Sequence, residues 1–279
     1  MYNNKPFDTG PNLIDSHCHL NFDNFAGELE NVVARARDAG VRCMLTICTK
    51  LSEFEKLIEI TESFDEIFCS VGVHPHEVVT EGIPELKKLI EFTQHPKVVG
   101  VGETGLDYFY DNSPKDLQRE SFKLHIRAAQ ETNLPVIVHS RDADQDTGDI
   151  LESFYNQKSF LGVLHCFTAG AGLAWRAIDL GLYISLSGII TFNNATGLRE
   201  IVKSLPLDRL LVETDSPYLA PVPMRGKRNE PAFVRYTNYR LAECLSRGEL
   251  EISDITTQNF FNLFKKVPEA GSPYARNAL

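Results

Sequence analysis

The sequence predicts a single α/β domain closed into a TIM (β/α)8 barrel, with further helices after the last strand. Three observations carry this expectation. Apolar, β-branched runs alternate with segments of helical period from residue 14 to residue 215; eight such runs can be counted; and most of them stop at a His, Glu or Asp. Strict strand–helix alternation requires parallel strands, and eight parallel strands suggest closure. The 279 residues suit one such barrel, which uses about 250 residues, so residues 1–279 are read as one domain. A doubly wound open sheet is the alternative, but it gives no reason for polar residues at the first and eighth strand ends to converge.

The elements follow in order. Residues 1 to about 11 are polar, with Pro6, Gly10 and Pro11, and read as a loose arm. The first strand is Ile14-Asp15-Ser16-His17-Cys18-His19-Leu20, whose alternation places Asp15, His17 and His19 on one face and Ser16 and Cys18 on the other. Residues 24–39 carry Leu29, Val32, Val33 and Ala36 at helical spacing, and Gly40 supplies the stop. Strands are then expected at 41–48, 67–73, 98–103, 136–139, 162–165, 183–187 and 210–215. Helices fall between them at 51–64, 84–93, 115–131, about 146–155, 171–180 and 196–205. A Pro- and Arg-rich loop at 216–231 precedes two helices, about 232–247 and 251–266, and a Gly- and Pro-containing tail.

A net charge of −10 argues against a protein that coats nucleic acid or an anionic membrane through bulk positive potential, though not against a local phosphate site. The six cysteines include no Cys-x-x-Cys pair and sit mostly in apolar runs, as in Cys43-Met44-Leu45-Thr46-Ile47-Cys48. That usage suits a reducing compartment, and no run approaches the roughly 18 apolar residues of a membrane span. A cytoplasmic protein without an obligate protein partner is expected.

In a parallel barrel the C-terminal ends of the strands share one rim, where reactive groups collect. This chain places His17, His19, His74, Glu103, His139, His165 and Asp215 there. Four histidines and two carboxylates, with His74 set aside as a substrate contact, are too many for one tetrahedral zinc. They suit two divalent metals bridged by Glu103, with zinc, magnesium or manganese all admissible. Asp215 can bind one metal, accept a water proton and return it to the leaving oxygen. Glu213 and Asp15 are expected to support ligand histidines rather than bind metal. His76, His95 and His125 are read as structural or surface residues. Arg225 and Arg228, in the loop that must fold over the rim, join Arg141 as candidates to grip a phosphate. Tyr218 is placed either to stack on a base or to pack.

These residues fall in a series of short words: Asp15-Ser16-His17-Cys18-His19, Gly72-Val73-His74-Pro75, Gly102-Glu103-Thr104-Gly105-Leu106-Asp107-Tyr108, His139-Ser140-Arg141, His165-Cys166-Phe167-Thr168, Glu213-Thr214-Asp215-Ser216-Pro217-Tyr218-Leu219 and Arg225-Gly226-Lys227-Arg228-Asn229-Glu230-Pro231. In this order they resemble the TatD-like metal-dependent deoxyribonucleases of the amidohydrolase superfamily. The resemblance implies one metal among His17, His19, Glu103 and Asp215, and a second among Glu103, His139 and His165. It also implies hydrolysis of DNA, usually single strands from an end. One departure is Thr168-Ala169-Gly170, where the family has Thr-Gly, which bears on substrate fit more than on chemistry. The alternative enzyme is a hydrolase of a small ester, amide or lactone, which would have no need of Arg225 and Arg228. A metal-stabilised scaffold would be expected to lose Asp215, which this chain keeps.

Overall fold

The computed structural model describes residues 11–268 and shows eight parallel strands hydrogen-bonded in chain order. The strands are β1 (Leu13–Cys18), β2 (Val41–Thr46), β3 (Ile67–Val71), β4 (Val98–Asp107), β5 (Val136–Arg141), β6 (Gly162–Leu164), β7 (Tyr183–Leu186) and β8 (Leu210–Val212). Between them run α1 (Leu29–Asp38), α2 (Phe54–Ser63), α3 (Val78–Glu81), α4 (Leu86–Phe92), α5 (Lys115–Thr132), α6 (Asp144–Tyr155), α7 (Ala171–Asp179) and α8 (Thr196–Ser204). After β8 come α9 (Val234–Leu245) and α10 (Glu249–Leu263). The barrel expectation therefore holds and the open sheet does not. The arm expected at 1–11 lies, apart from Pro11, outside the described residues.

Two apolar layers hold the barrel. An outer one, including Leu13, Val33, Met44, Val101 and Val138, packs strands against helices. The inner one runs through the barrel from Ile14, Leu45, Val99, Ile137 and Leu211 to Phe260 and Phe264 at the end of α10. That helix is pinned below the strands: Ser253 Oγ donates to Asn12 O just before β1, and Asn259 Nδ2 donates to Leu207 O and Leu210 O at the start of β8. With the N-terminal end plugged by aromatic rings, the C-terminal end is left for chemistry.

Closure is made just beyond β8. The Asp215 N–H donates to His17 O at 2.9 Å, and the His19 N–H donates to Ser216 O at 2.8 Å. The seam that shuts the barrel is thus built from the residues expected at the metal site.

Three details depart from the sequence-based expectation. The face shared by Asp15, His17 and His19 is interrupted by a register shift between Asp15 and Cys18. Ile14 and Ser16 face inward, Ser16 meeting Ser185 across the barrel at 3.0 Å, while Asp15 turns to the Thr214 N–H and hydroxyl. Strand four extends well past Glu103. Gly105 has φ +132°, and a Cβ there would fall 2.0 Å from His139 O, so only glycine lets β4 lie this close to β5. Strands β6 and β8 are shorter than expected, so His165, Glu213 and Asp215 leave from the first residues beyond them.

His125 is structural, as expected, and fully buried on α5. One ring nitrogen donates to Ser121 O at 2.7 Å and the other accepts the Val73 N–H at 3.0 Å, which ties α5 to the segment carrying His74. Burial pushes its pKa down to about 4. Below its ordinary pKa of about 6.5 the unfolded chain takes up a proton that the folded ring refuses. Its stabilisation is therefore complete above about pH 6.5 and is lost as the pH falls through about 4. The pH-dependent part should amount to about 3 kcal/mol. Urea unfolding between pH 7.5 and pH 4 should show a flatter loss of stability in His125→Gln than in the parent protein; parallel curves would contradict this role.

Candidate metal centre

The Glu103 carboxylate is buried at the centre of the open rim, and four imidazoles converge on it. His165 Nε2 is 2.6 Å and His139 Nδ1 3.0 Å from Oε1, which His74 Nε2 approaches to 3.4 Å; His17 Nε2 lies 3.3 Å from Oε2. Asp215 Oδ1 sits on the other side of His17, at 3.7 Å, and 3.2 Å from His19 Nε2. The rings of His17 and His165 stack 3.8 Å apart and 10° from parallel. All six residues expected as metal ligands are thus brought into one cluster.

Among the described residues, three sets of donors have ligand atoms within 4.8 Å of one another: His17, His19 and Asp215; His17, Glu103 and His165; and His74, Glu103 and His139. Among the described residues, neither nitrogen of buried His17, nor Nδ1 of His19, has a hydrogen-bond partner. Bare buried nitrogens are costly, and a divalent cation between imidazole and carboxylate donors removes that cost. The donor chemistry therefore fits a metal.

His74 belongs to the third set, but its bonding argues for a different part. Nδ1 accepts the His76 N–H at 3.1 Å, so in the neutral ring the proton sits on Nε2, facing Glu103. Burial pulls its pKa down to about 4 despite the carboxylate, which keeps the ring neutral near pH 7. A nitrogen that carries a proton donates a hydrogen bond and cannot ligate.

The electrostatics follow from this packing. Burial alone would neutralise Glu103, but His165, His74 and His17, with the hydrogen bond from His139, hold its carboxyl well below the usual range. Asp215 is likewise held down, against burial, by His19, His17 and His165. For His165, burial is outweighed by Glu103 and Glu213, and its pKa is raised well above the ordinary value.

Carboxylates behind the ligands fix their tautomers. Glu213 Oε1 lies 3.3 Å from His165 Nδ1 and accepts the Cys166 N–H at 2.7 Å, which leaves His165 Nε2 for the centre. Asp15 serves the backbone instead, holding the turn at Thr214 that delivers Asp215. The sequence reading missed two residues. Asp107 Oδ2 is 3.0 Å from His139 Nε2 and 2.9 Å from His76 Nε2, so it directs His139 Nδ1 at Glu103. His76, expected to be structural or on the surface, has a structural part here as the second partner of the Asp107 carboxylate. Residues 103, 105 and 107 alternate, so the signal was present, but ending the strand at Glu103 hid it.

The arginines divide. Arg228, expected to grip phosphate, is turned aside: it donates to Asn24 O at 2.6 Å and to Glu28 Oε2 at 2.9 Å, with its guanidinium 4.9 Å from the Phe25 ring. Here its charge is engaged in holding the loop. Arg225 lies 4.0 Å over the Phe192 ring, and Arg141 4.0 Å over Phe109; among the described residues neither has a carboxylate partner. Tyr218 is 55% exposed, with its ring edge-on to Phe22 and His19. No described helix is long and apolar enough to cross a membrane.

If Asp107 orients His139, Asp107→Asn should weaken divalent-cation binding by roughly 10- to 100-fold without loss of the fold. Competition against a zinc-chelating dye measures this; unchanged affinity would show that His139 needs no such support.

Comparison with known proteins agrees with the geometry. The family model described as TatD related DNase matches residues 14–265. The chain is 40% identical over 253 residues to the Bacillus subtilis uncharacterized metal-dependent hydrolase YabD, covering 91% of this chain and 99% of that one. It is 33% identical over 263 residues to a Shigella flexneri protein named 3'-5' ssDNA/RNA exonuclease TatD, covering 92% and 98%. The crystal structure of YJJV, a TatD homologue from Escherichia coli K12, superposes with a TM-score of 0.86 at 30% identity, over 92% of this chain and 99% of that one. With its barrel, its buried His and carboxylate cluster and these relatives, the chain belongs to the TatD family of metal-dependent hydrolases.

Proposed function

We propose that this hydrolase is a deoxyribonuclease that shortens single-stranded DNA from an end with two divalent cations. The observation that carries this reading is the position of Glu103 between two donor sets, His17, His19 and Asp215 on one side and His139 and His165 on the other. One carboxylate facing both sets is the arrangement a bridged pair of cations requires. When bound, the cations supply Lewis acidity to a phosphoryl oxygen and bring a water towards ionisation near neutral pH. The donors admit zinc, magnesium or manganese.

The chain's own groups supply the remainder. Asp215, kept ionised by the surrounding imidazoles, accepts the attacking water's proton at its carboxylate and returns it to the leaving oxygen. His74 Nε2–H faces the same opening and can donate to a non-bridging phosphate oxygen. Arg141, two residues beyond His139, holds a phosphate of the strand through its guanidinium, which has no carboxylate partner among the described residues. The acidic total charge supports a short or single-stranded substrate over a long duplex, and the name of the Shigella relative supports the same choice. Six free cysteines among the described residues support action in the reducing cytoplasm.

Hydrolysis of a short single-stranded DNA in magnesium, manganese or zinc tests this reading. The parent protein should shorten the strand stepwise, Asp215→Asn should lower the rate by roughly 10²–10⁴-fold, and Arg141→Ala should raise KM more than it lowers kcat. A protein that cleaves no strand in any of these metals, yet hydrolyses a simple ester, would overturn it.

A further inference from the structure

Just outside the metal cluster, Phe109 and Tyr110 stand 54% and 45% exposed on the loop after β4. Large exposed aromatic rings beside a cluster of buried polar groups ask for a partner. Their rings meet at 4.8 Å and 86°, and the Arg141 guanidinium lies 4.0 Å over Phe109 and 4.9 Å from Tyr110. Tyr110 also abuts His76 at 5.3 Å, which in turn abuts His74 at 4.5 Å. A ridge of rings and one cation thus leads outward from Glu103.

The loop that carries the ridge is fixed. Asp107 Oδ1 accepts the N–H groups of both Phe109 and Tyr110 at 3.0 Å. Gln118 accepts the Asp107 N–H at 2.8 Å and donates to Asp107 O and Ser113 O. Tyr108 donates its hydroxyl to Asp146 at 2.5 Å and its N–H to Arg141 O at 2.9 Å. The side chains around the two exposed rings are tied down, while these rings are presented to solvent. Such rigidity lowers the ordering cost of a ligand that stacks there.

Building on the nuclease reading, we propose that Phe109, Tyr110 and Arg141 form a stacking subsite for the base of a nucleotide adjoining the scissile phosphate. A base lies against the Phe109–Arg141 pair, as bases do on aromatic and guanidinium planes, and the free guanidinium donors reach the neighbouring phosphate. Every base has such a face, so the subsite grips single strands without demanding a sequence. Bases already stacked within a duplex are withheld from it, which makes the ridge selective for unpaired ends.

Two labelled decamers separate this from simple phosphate binding: a thymidylate strand, and an abasic phosphodiester strand of equal length and charge. Equilibrium binding is measured with magnesium in an Asp215→Asn background, which slows turnover. Adding Phe109→Ala should weaken the thymidylate strand by about 5- to 100-fold and leave the abasic strand within about twofold. Phe109→Tyr, which keeps a ring, should restore affinity. Unchanged thymidylate binding in both Phe109→Ala and Tyr110→Ala, or an equal loss for the two strands, overturns the subsite while leaving the nuclease reading in place. A background protein that binds neither strand overturns both.

Discussion

The charge on Glu103 is the constraint on which the rest of the site depends. A carboxylate this deeply buried would ordinarily protonate, and it stays ionised because imidazoles from β1, the β3 loop, β5 and the β6 end all face it. The dependence runs both ways. Those histidines are held in register by second carboxylates, Asp107 behind His139 and Glu213 behind His165, so that one nitrogen of each ring points inward. The whole forms a buried polar network that is satisfied around its edge and left short of partners at its centre, at His17. A half-satisfied network is costly in a protein interior, and a bound divalent metal would complete this one.

Fold and site are coupled at the barrel seam. Strand β8 ends at Val212, and the backbone of Asp215 and Ser216, rather than a strand, completes closure against His17 and His19. The same bonds that shut the barrel therefore set the distances between Asp215 and both histidines. Asp15 reinforces the turn from the first strand. At the opposite end, α10 closes the barrel with Phe260 and Phe264, so stability is concentrated at the bottom and charge at the top. That division is typical of this architecture and lets a charged polar rim exist on a well-packed base.

Much of this was legible in the amino-acid order. Eight apolar runs, most of them ending in His, Glu or Asp, carried the barrel, and the rim rule then brought His17, His19, Glu103, His139, His165 and Asp215 to one place. What stayed hidden has physical causes. Gly102 and Gly105 let β4 press against β5 and run on past Glu103, and stopping the strand at Glu103 concealed Asp107 and with it His76. A register shift inside β1 defeated simple alternation at Asp15. Arg228 follows β8 and belongs to the loop over the rim, but sequence order could not reveal Glu28 and Asn24 waiting on the far side of α1's approach. The exposed rings of Phe109 and Tyr110 carry no signal in the residue order, because only the fold lays Arg141 across them.

Metal stoichiometry tests the central role of Glu103 most directly. Elemental analysis of protein equilibrated with zinc or manganese, then freed of loosely held ions, counts cations per chain in the parent and in Glu103→Ala. One bridging carboxylate holding two cations predicts two per chain in the parent. It also predicts fewer than one in a Glu103→Ala variant that remains folded by circular dichroism. A folded variant that keeps both cations would show that the histidines and Asp215 bind metal independently, and would contradict the account.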